Sequence, residues 1–193
     1  MDGDLLVFAT AYANLVALDA TSGAGCWQTA LGAGVGVRAK PVIADGIVLL
    51  ACQGDLLVAV EADSGQVRWR YEAAGETLLP GAGTAATPAV VDGLVYAAFT
   101  DGSVVALRLD TGDPIWRQHT QGAVLSSPAI SGDVLYVGSN DGRLRAMDRR
   151  TGADRWSHDL GAWVASSPAV SGNAVVAAAW DGNVYAFTSG AED

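Results

Sequence analysis

The sequence is short of lysine and of long apolar runs, and each shortage excludes a class of protein. Lys40 is the single lysine, and 11 basic residues stand against 21 acidic ones, a net charge of −10 over 193 residues. This surplus of acidic residues argues against nucleic acids and anionic membrane surfaces as main partners, since both are negatively charged. No apolar run reaches the roughly 18 residues of a membrane span. The run LLVFATAY near the start follows acidic residues and falls in repeat register, so we expect no signal peptide.

Cysteine and histidine are scarce too, with two of each. Cys26 and Cys52 are not adjacent, and no repeated position demands a cysteine. We therefore expect two separate buried thiols, with a disulfide as the alternative in an oxidising compartment. His119 and His158 follow tryptophans in different units with no third ligand nearby, so we expect no metal site there.

Helical periodicity is also missing, and a repeat takes its place. A seventeen-residue pattern occurs four times, as in TDGSVVALRLDTGDPIW and NDGRLRAMDRRTGADRW. Each copy ends in a tryptophan, at Trp27, Trp69, Trp116 and Trp156. The thirteenth residue is always glycine, at Gly23, Gly65, Gly112 and Gly152. The seventh is always alanine, at Ala17, Ala59, Ala106 and Ala146.

A proline gives each unit a second anchor. Pro41, Pro88 and Pro128 each precede the next tryptophan by 28 residues, whereas the gaps from a tryptophan to the following proline vary from 12 to 19. Within the constant part, short β-rich runs alternate with Asp-Gly, Ser-Gly and Thr-Gly turns, which are hairpin signals. The sequence predicts an all-β fold, a β-propeller of four-stranded antiparallel blades.

The alanine and the tryptophan that recur in every copy of the repeat have predictable packing roles. An alanine in the third strand suits a tightly packed position between neighbouring sheets. A tryptophan is too large to bury within one small sheet, so we expect each ring to dock between blades, where it buries a large apolar area.

The pattern SSPAV…VYVGS.DG.L.A.D..TG…W resembles the pyrroloquinoline-quinone-type propeller repeat, in which Thr-Gly followed by a docking tryptophan is distinctive. The resemblance covers nearly the whole chain. It implies rings of seven or eight blades and an extracytoplasmic parent, for example a periplasmic propeller lipoprotein of outer-membrane protein assembly or a sensor propeller of a bacterial Ser/Thr kinase. Quinoprotein alcohol dehydrogenases of this kind carry adjacent cysteines at the cofactor, which this chain lacks.

The repeat divides the chain into five units. We expect complete blades at about 37–72, 84–119 and 124–159, a first unit at about 1–30 without its first strand, and a last unit at about 164–193 without its last strand. Three complete and two incomplete blades predict an open arc or a fragment of a seven- or eight-bladed ring. Exposed terminal faces then favour self-association, with closure into a strained five-bladed ring as the alternative.

Charged residues of the turns have two possible roles. Asp101, Asp141 and Asp181 each precede a glycine, and we expect them to make turns rather than calcium sites. A local basic cluster stands out in this acidic chain; we expect it to form a solvated outer edge, with a protein-docking patch as the alternative. Its members are Arg143, Arg145, Arg149, Arg150 and Arg155.

Two tryptophans break the repeat. Trp163 stands where other units have Gly36, Gly83 and Ala123, and Trp180 stands where they have Gln53, Thr100 and Asn140. The two connections concerned emerge on one face of a blade, so Trp163, Trp180 and the adjoining Asp181 form a candidate binding surface. The alternative is that one ring fills a gap at the incomplete end.

We therefore expect a non-catalytic scaffold or sensor module with a protein partner and no cofactor. The alternative is a fragment of a quinone-dependent dehydrogenase.

Overall fold

The computed structural model describes residues 4–10, 14–32, 36–79 and 86–188. Its regular structure is entirely β-strand, in five antiparallel sheets that we number 1 to 5 along the chain. Sheets 2, 3 and 4 have four strands, and sheets 1 and 5 have three. The predicted propeller with three complete and two incomplete blades is confirmed. No helix of the described residues is long and apolar enough to cross a bilayer.

The strands of every sheet follow chain order, from the inner to the outer edge. Sheet 1 consists of β1 (Leu5–Ala9), β2 (Asn14–Asp19) and β3 (Gly25–Ala30). Sheet 2 consists of β4 (Val42–Ala44), β5 (Ile47–Cys52), β6 (Leu56–Glu61) and β7 (Val67–Glu72). Sheet 3 consists of β8 (Ala89–Val91), β9 (Leu94–Ala98), β10 (Ser103–Arg108) and β11 (Pro114–His119). Sheet 4 consists of β12 (Ala129–Ser131), β13 (Val134–Gly138), β14 (Arg143–Asp148) and β15 (Asp154–Asp159). Sheet 5 consists of β16 (Ala169–Ser171), β17 (Ala174–Ala178) and β18 (Val184–Thr188). The expected unit limits at residues 1, 84 and 193 lie outside the described residues.

One register is shared by sheets 1 to 4. In each, the repeat alanine pairs with the repeat tryptophan, and the register shifts directly after the alanine. The pairs are Ala17 with Trp27, Ala59 with Trp69, Ala106 with Trp116, and Ala146 with Trp156. All four alanines are fully buried. A larger side chain there would collide with the neighbouring sheet, because packed interiors leave no spare volume.

The first three repeat tryptophans each contact the next sheet. Their indole N–H groups donate to backbone carbonyls there, in the pairs Trp27 to Ala62 (2.8 Å), Trp69 to Leu109 (2.9 Å) and Trp116 to Arg149 (3.0 Å). Trp156 packs instead against Phe187, with ring centroids 5.5 Å apart, and stays partly exposed.

The indole rings of Trp27, Trp69 and Trp116 each lie on a repeat glycine of the next sheet. A Cβ on Gly65 would lie 2.5 Å from the Trp27 ring, and Gly65 has a φ of 70°. Both the close approach and the left-handed backbone therefore require glycine. Gly112 and Gly152 meet Trp69 and Trp116 in the same way. Gly23 has a φ of 71° but no atom within 4 Å of its would-be Cβ.

A series of hydroxyl groups links consecutive sheets near the inner strands. The hydroxyl oxygen of the residue before three of the repeat prolines accepts a hydrogen bond from the backbone N–H at the same position in the preceding sheet. Thr87 accepts from Lys40 at 3.4 Å, Ser127 from Thr87 at 2.9 Å, and Ser167 from Ser127 at 2.9 Å. This accounts for Thr or Ser before three of the repeat prolines.

The apolar core is divided into four clusters, each between two consecutive sheets. The two terminal sheets keep one face in solvent, as Leu6 of β1 and Val184 of β18 show by their large exposure. The structure is therefore an open arc. A closed five-bladed ring would cover both side chains.

Candidate functional site

Trp163 and Trp180 lie together at one edge of sheet 5. Trp163 is on the connection from sheet 4, and Trp180 is in the turn between β17 and β18. The backbone N–H of Trp180 donates to the backbone carbonyl oxygen of Trp163 at 2.9 Å. Equivalent bonds join Gln53 to Gly36 at 2.8 Å in sheet 2 and Asn140 to Ala123 at 2.9 Å in sheet 4. The repeat backbone thus brings these two positions together, and the sequence places a tryptophan at both in sheet 5.

The two indole rings contact each other and face solvent. Their centroids are 5.0 Å apart, with 47° between the ring planes. Trp163 is 41% exposed and Trp180 is 70% exposed. In sheet 2 the side chain at the second position lies over a glycine, since a Cβ on Gly36 would meet the Gln53 amide. Gly83, the expected equivalent in sheet 3, lies outside the described residues.

Asp181 is an exposed carboxylate that its own turn holds in place. It accepts hydrogen bonds from the Asn183 N–H at 2.9 Å, the Asn183 amide at 2.8 Å and the Tyr185 hydroxyl. The bond from Tyr185, with those from Asn183, lowers the pKa of Asp181, and the same bond raises the pKa of Tyr185. Asp181 is therefore ionised at neutral pH. We call Trp163, Trp180 and Asp181 the aromatic patch.

The corresponding aspartates of sheets 3 and 4 are paired with arginine. Arg117 binds Asp101 at 2.6 Å, and Arg145 binds Asp141 through both guanidinium NH₂ groups. Burial by itself raises the pKa of Asp141, but the bonds from Arg145 and from backbone N–H groups outweigh it, so that the net shift is downward. Tyr185 occupies in sheet 5 the repeat position of Arg145. The turn of the aromatic patch therefore keeps its negative charge without an arginine.

The Asp-Gly pairs form turns. Each aspartate accepts the backbone N–H two residues further on, in the pairs Asp101 with Ser103, Asp141 with Arg143 and Asp181 with Asn183. Within the described ranges there is no group of three or more His, Cys, Asp or Glu side chains that could hold a metal ion. His158 packs its ring edge-on against Phe187, with centroids 5.2 Å apart.

The basic cluster is the expected solvated edge only in part, since the side chains of Arg143, Arg150 and Arg155 are 40%, 70% and 42% exposed, whereas the other two arginines are buried. Arg145 and Arg149 are buried, and Arg149 donates to Asp92 at 2.6 Å and to the Gly132 carbonyl at 2.9 Å. The other three arginines also pair with acids: Arg143 with Asp159, Arg150 with Asp133 and Arg155 with Asp148. The expectation was wrong for Arg145, which pairs with Asp141 of its own turn, and for Arg149, whose partner Asp92 lies 57 residues earlier in the chain.

The two cysteines are separate free thiols, in sheets 1 and 2. Cys26 is exposed on β3, which differs from the expected burial, because the residue before the repeat tryptophan is exposed on the fourth strand of the repeat, as Arg68, Ile115 and Arg155 are in the other sheets. Cys52 is fully buried between sheets 1 and 2, and burial raises the pKa of its thiol to about 11.

A buried carboxylate between sheets 2 and 3 was missed by the sequence-based reasoning. Asp55 accepts from the Thr100 N–H at 2.9 Å, the Thr100 hydroxyl at 2.7 Å and the Asp101 N–H at 3.0 Å. Asp55 stands in the Gln-Gly-Asp turn of sheet 2, one residue later than the aspartate of the Asp-Gly turns. That shift was the available signal.

Solved structures share this fold. BamB from Moraxella catarrhalis matches with a TM-score of 0.85 and 24% identity, over 96% of this chain and 58% of that one. A computationally designed protein matches with a TM-score of 0.81 and 18% identity, over 97% and 56% of the two chains. Quinohemoprotein alcohol dehydrogenase from Comamonas testosteroni matches with a TM-score of 0.80 and 13% identity, over 96% and 40%. The chain spans less than two thirds of each of them.

Sequence comparison gives the family. Comparison with curated proteins found no match. The family model described as outer membrane protein assembly factor BamB matches residues 1–123 and, a second time, residues 110–192. A second match by the same model is expected of a chain built from repeated units. The chain therefore belongs to the family of outer membrane protein assembly factor BamB, a family of pyrroloquinoline-quinone-type repeat propellers.

Proposed function

We propose that this chain is a non-catalytic propeller module that binds another protein through the aromatic patch. The observation that carries the proposal is the pair of exposed, touching indoles of Trp163 and Trp180. Exposed tryptophans held by a rigid sheet give a partner a large apolar contact at little entropic cost, and tryptophan is enriched among residues that dominate binding energy. The BamB family membership supports a protein as the partner.

The chemistry of the patch favours a partner that offers apolar and basic side chains. Indole faces attract lysine and arginine, and Asp181 adds a carboxylate beside the two rings. The net charge of −10 would speed the approach of a basic surface.

The rival function is that of a quinone-dependent dehydrogenase fragment, which the fold likeness to the Comamonas enzyme favours. Against it, Cys26 and Cys52 lie in different sheets rather than as adjacent residues. Titration with pyrroloquinoline quinone and calcium tests the rival, and we expect no saturable quenching of tryptophan fluorescence. Saturable quenching at micromolar quinone would favour the dehydrogenase.

The test of the patch uses photo-crosslinking in cells of the source organism. A crosslinking residue in place of Asp181 should trap a defined protein, and the Trp163→Ala, Trp180→Ala background should abolish this product. Trp180→Ala alone should cost less than about 1 kcal/mol of stability, since its ring is 70% exposed.

The matched control places the same crosslinker at Ile115, an exposed residue of β11 in sheet 3. The control should not trap that protein. Equal trapping from both positions, or trapping that survives the loss of both indoles, would contradict the proposed contact.

A further inference from the structure

A cleft of about 360 Å³ lies between sheets 2 and 3. It is at the end of the sheets where the first strand turns into the second and the third into the fourth. The buried side chains of Ile47 and Leu109 give it an apolar floor. Asp45, Arg68 and Asp110 complete its lining, and all three are exposed. We call this space the acidic cleft.

Between sheets 3 and 4 an arginine of the chain fills the equivalent place. Asp92 stands at the repeat position of Asp45, and Arg149 stands at that of Leu109. The buried Arg149 donates to the Asp92 carboxylate at 2.6 Å and to the Gly132 carbonyl at 2.9 Å. Leucine has no group that could make these bonds, so the carboxylate of Asp45 lacks the partner that Asp92 has.

The backbone around the two aspartates is alike. Asp45 has a φ of 46° and Asp92 has a φ of 52°, and a glycine with positive φ follows each of them. Leu109 and Arg149 are also held in the same way, since the backbone carbonyl of each accepts the indole N–H of the repeat tryptophan in the preceding sheet. The acidic cleft therefore has the backbone of an arginine site, with a leucine in place of the arginine.

The charges of the acidic cleft favour a cation. Within the described residues, neither the Asp45 nor the Asp110 carboxylate takes part in a hydrogen bond or an ion pair. Arg68 already has partners, since its guanidinium donates to the Glu61 carboxylate at 3.1 Å and to the Asp110 backbone carbonyl at 2.7 Å. A guanidinium suits two carboxylates above an apolar floor better than an ammonium does, because it is planar and more weakly hydrated.

We propose that the acidic cleft binds the side chain of an arginine from a partner protein, with the guanidinium on Asp45 as that of Arg149 is on Asp92. An arginine within a protein fits better than the free amino acid, whose α-carboxylate would approach the carboxylates of Asp45 and Asp110. The acidic cleft and the aromatic patch lie at opposite ends of their sheets, so the inference does not rest on the proposed function.

NMR titration of the 193-residue chain with N-acetylarginine amide tests the proposal. The amide signals of Gly46 and Gly93 should shift saturably in the millimolar range. N-acetyllysine amide should bind at least ~5-fold more weakly, since an ammonium does not match the fork of a guanidinium. The absence of a saturable shift, or equal affinity for the lysine derivative, would overturn the proposal. Free arginine that binds as tightly as the amide would overturn the assignment to a protein side chain.

Asp45→Asn removes the charge and keeps the turn, because asparagine also tolerates a positive φ. It should weaken the binding of N-acetylarginine amide at least ~5-fold, through the loss of a charge-assisted hydrogen bond. Asp92→Asn is the matched control, since Asp92 has the same turn but already binds Arg149. The control should bind like the wild type, and thermal melts should show that both variants are folded. Equal losses in the two variants would contradict the assignment to Asp45.

Leu109→Arg gives the acidic cleft an arginine from the chain itself. This variant should remain folded in thermal melts and should bind N-acetylarginine amide at least ~10-fold more weakly, because its own guanidinium competes at a high effective concentration. Unchanged binding in folded Leu109→Arg would place the ligand elsewhere and overturn the proposal. The Trp163→Ala, Trp180→Ala variant should bind like the wild type; loss of binding there would move the site to the aromatic patch.

Discussion

At the residue scale, each repeat tryptophan acts on the sheet that follows its own. The Trp69 ring lies against Gly112 and its indole N–H donates to the Leu109 carbonyl, so one side chain supplies both apolar burial and a directional bond. Trp156 has no such glycine among the described residues and packs on Phe187. A tryptophan therefore contributes different amounts to the free energy of unfolding at these two equivalent positions.

Replacing each of these two tryptophans by alanine should lower the free energy of unfolding by different amounts. Trp69→Ala should lower the free energy of unfolding by roughly 3–5 kcal/mol, as large truncations in a packed core do. Trp156→Ala should cost about 1–2 kcal/mol, because its ring is already 37% exposed. Denaturant melts of both variants measure the difference. Equal losses would mean that the contact with the following sheet contributes little.

These residue roles could be predicted from the sequence because they recur. A tryptophan, a glycine and an alanine at fixed offsets in four copies leave few geometries that satisfy all copies at once. The aromatic patch was predictable for the opposite reason. The repeat had already predicted the backbone at these positions, and Trp163 and Trp180 stand where the other copies have different residues. The partners of single arginines do not recur, so the pairs of Arg145 with Asp141 and of Arg149 with Asp92 required coordinates.

At the element scale, an aspartate organises the tight turn between the third and fourth strands of sheet 4. Asp148 ends β14 and accepts the N–H groups of Arg150 and Thr151, at 3.0 and 3.1 Å. Arg155 of β15 donates to it at 2.6 Å across the hairpin. Asp19 has a similar role in sheet 1, where it accepts from Thr21 and Ser22. These bonds fix the chain just before Gly23 and Gly152.

The titration of Asp148 reports this hairpin. The bond from Arg155, with those from the turn, lowers the pKa of Asp148 from an ordinary 3.8 to about 2. Since the folded value is the lower one, the contribution to stability is complete above the unfolded pKa and is lost as the pH falls from about 4 towards 2. Arg155→Gln should raise the pKa of Asp148, as measured by NMR titration of its carboxyl carbon. Arg150→Gln is the matched control, because the Arg150 side chain pairs with Asp133 instead. An unchanged pKa in Arg155→Gln would show that the turn alone holds the carboxylate.

At the scale of the whole molecule, the arc is a series of similar contacts between consecutive sheets. The number of sheets and their incompleteness at both ends followed from counting proline-to-tryptophan intervals. Which side of each terminal sheet faces solvent did not follow from counting, because alternation along a strand gives two faces without saying which one the neighbour covers. Only the placement of Leu15 and Ala17 against sheet 2 left Leu6 and Phe8 on the open side.

A serial arrangement of this kind behaves as a one-dimensional array. Sheets 2, 3 and 4 each pack on two neighbours, whereas sheets 1 and 5 each pack on one. The free energy of local opening should therefore rise from the two ends to the middle. Native-state hydrogen exchange should find the slowest amides in β9 and β10 and the fastest in β1 and β18; uniform protection would mean that the chain opens only as a whole. If protection of β1 and β18 alone rises with protein concentration, another copy of the chain covers the terminal sheets. The cooperative unit of unfolding is then longer than a single chain.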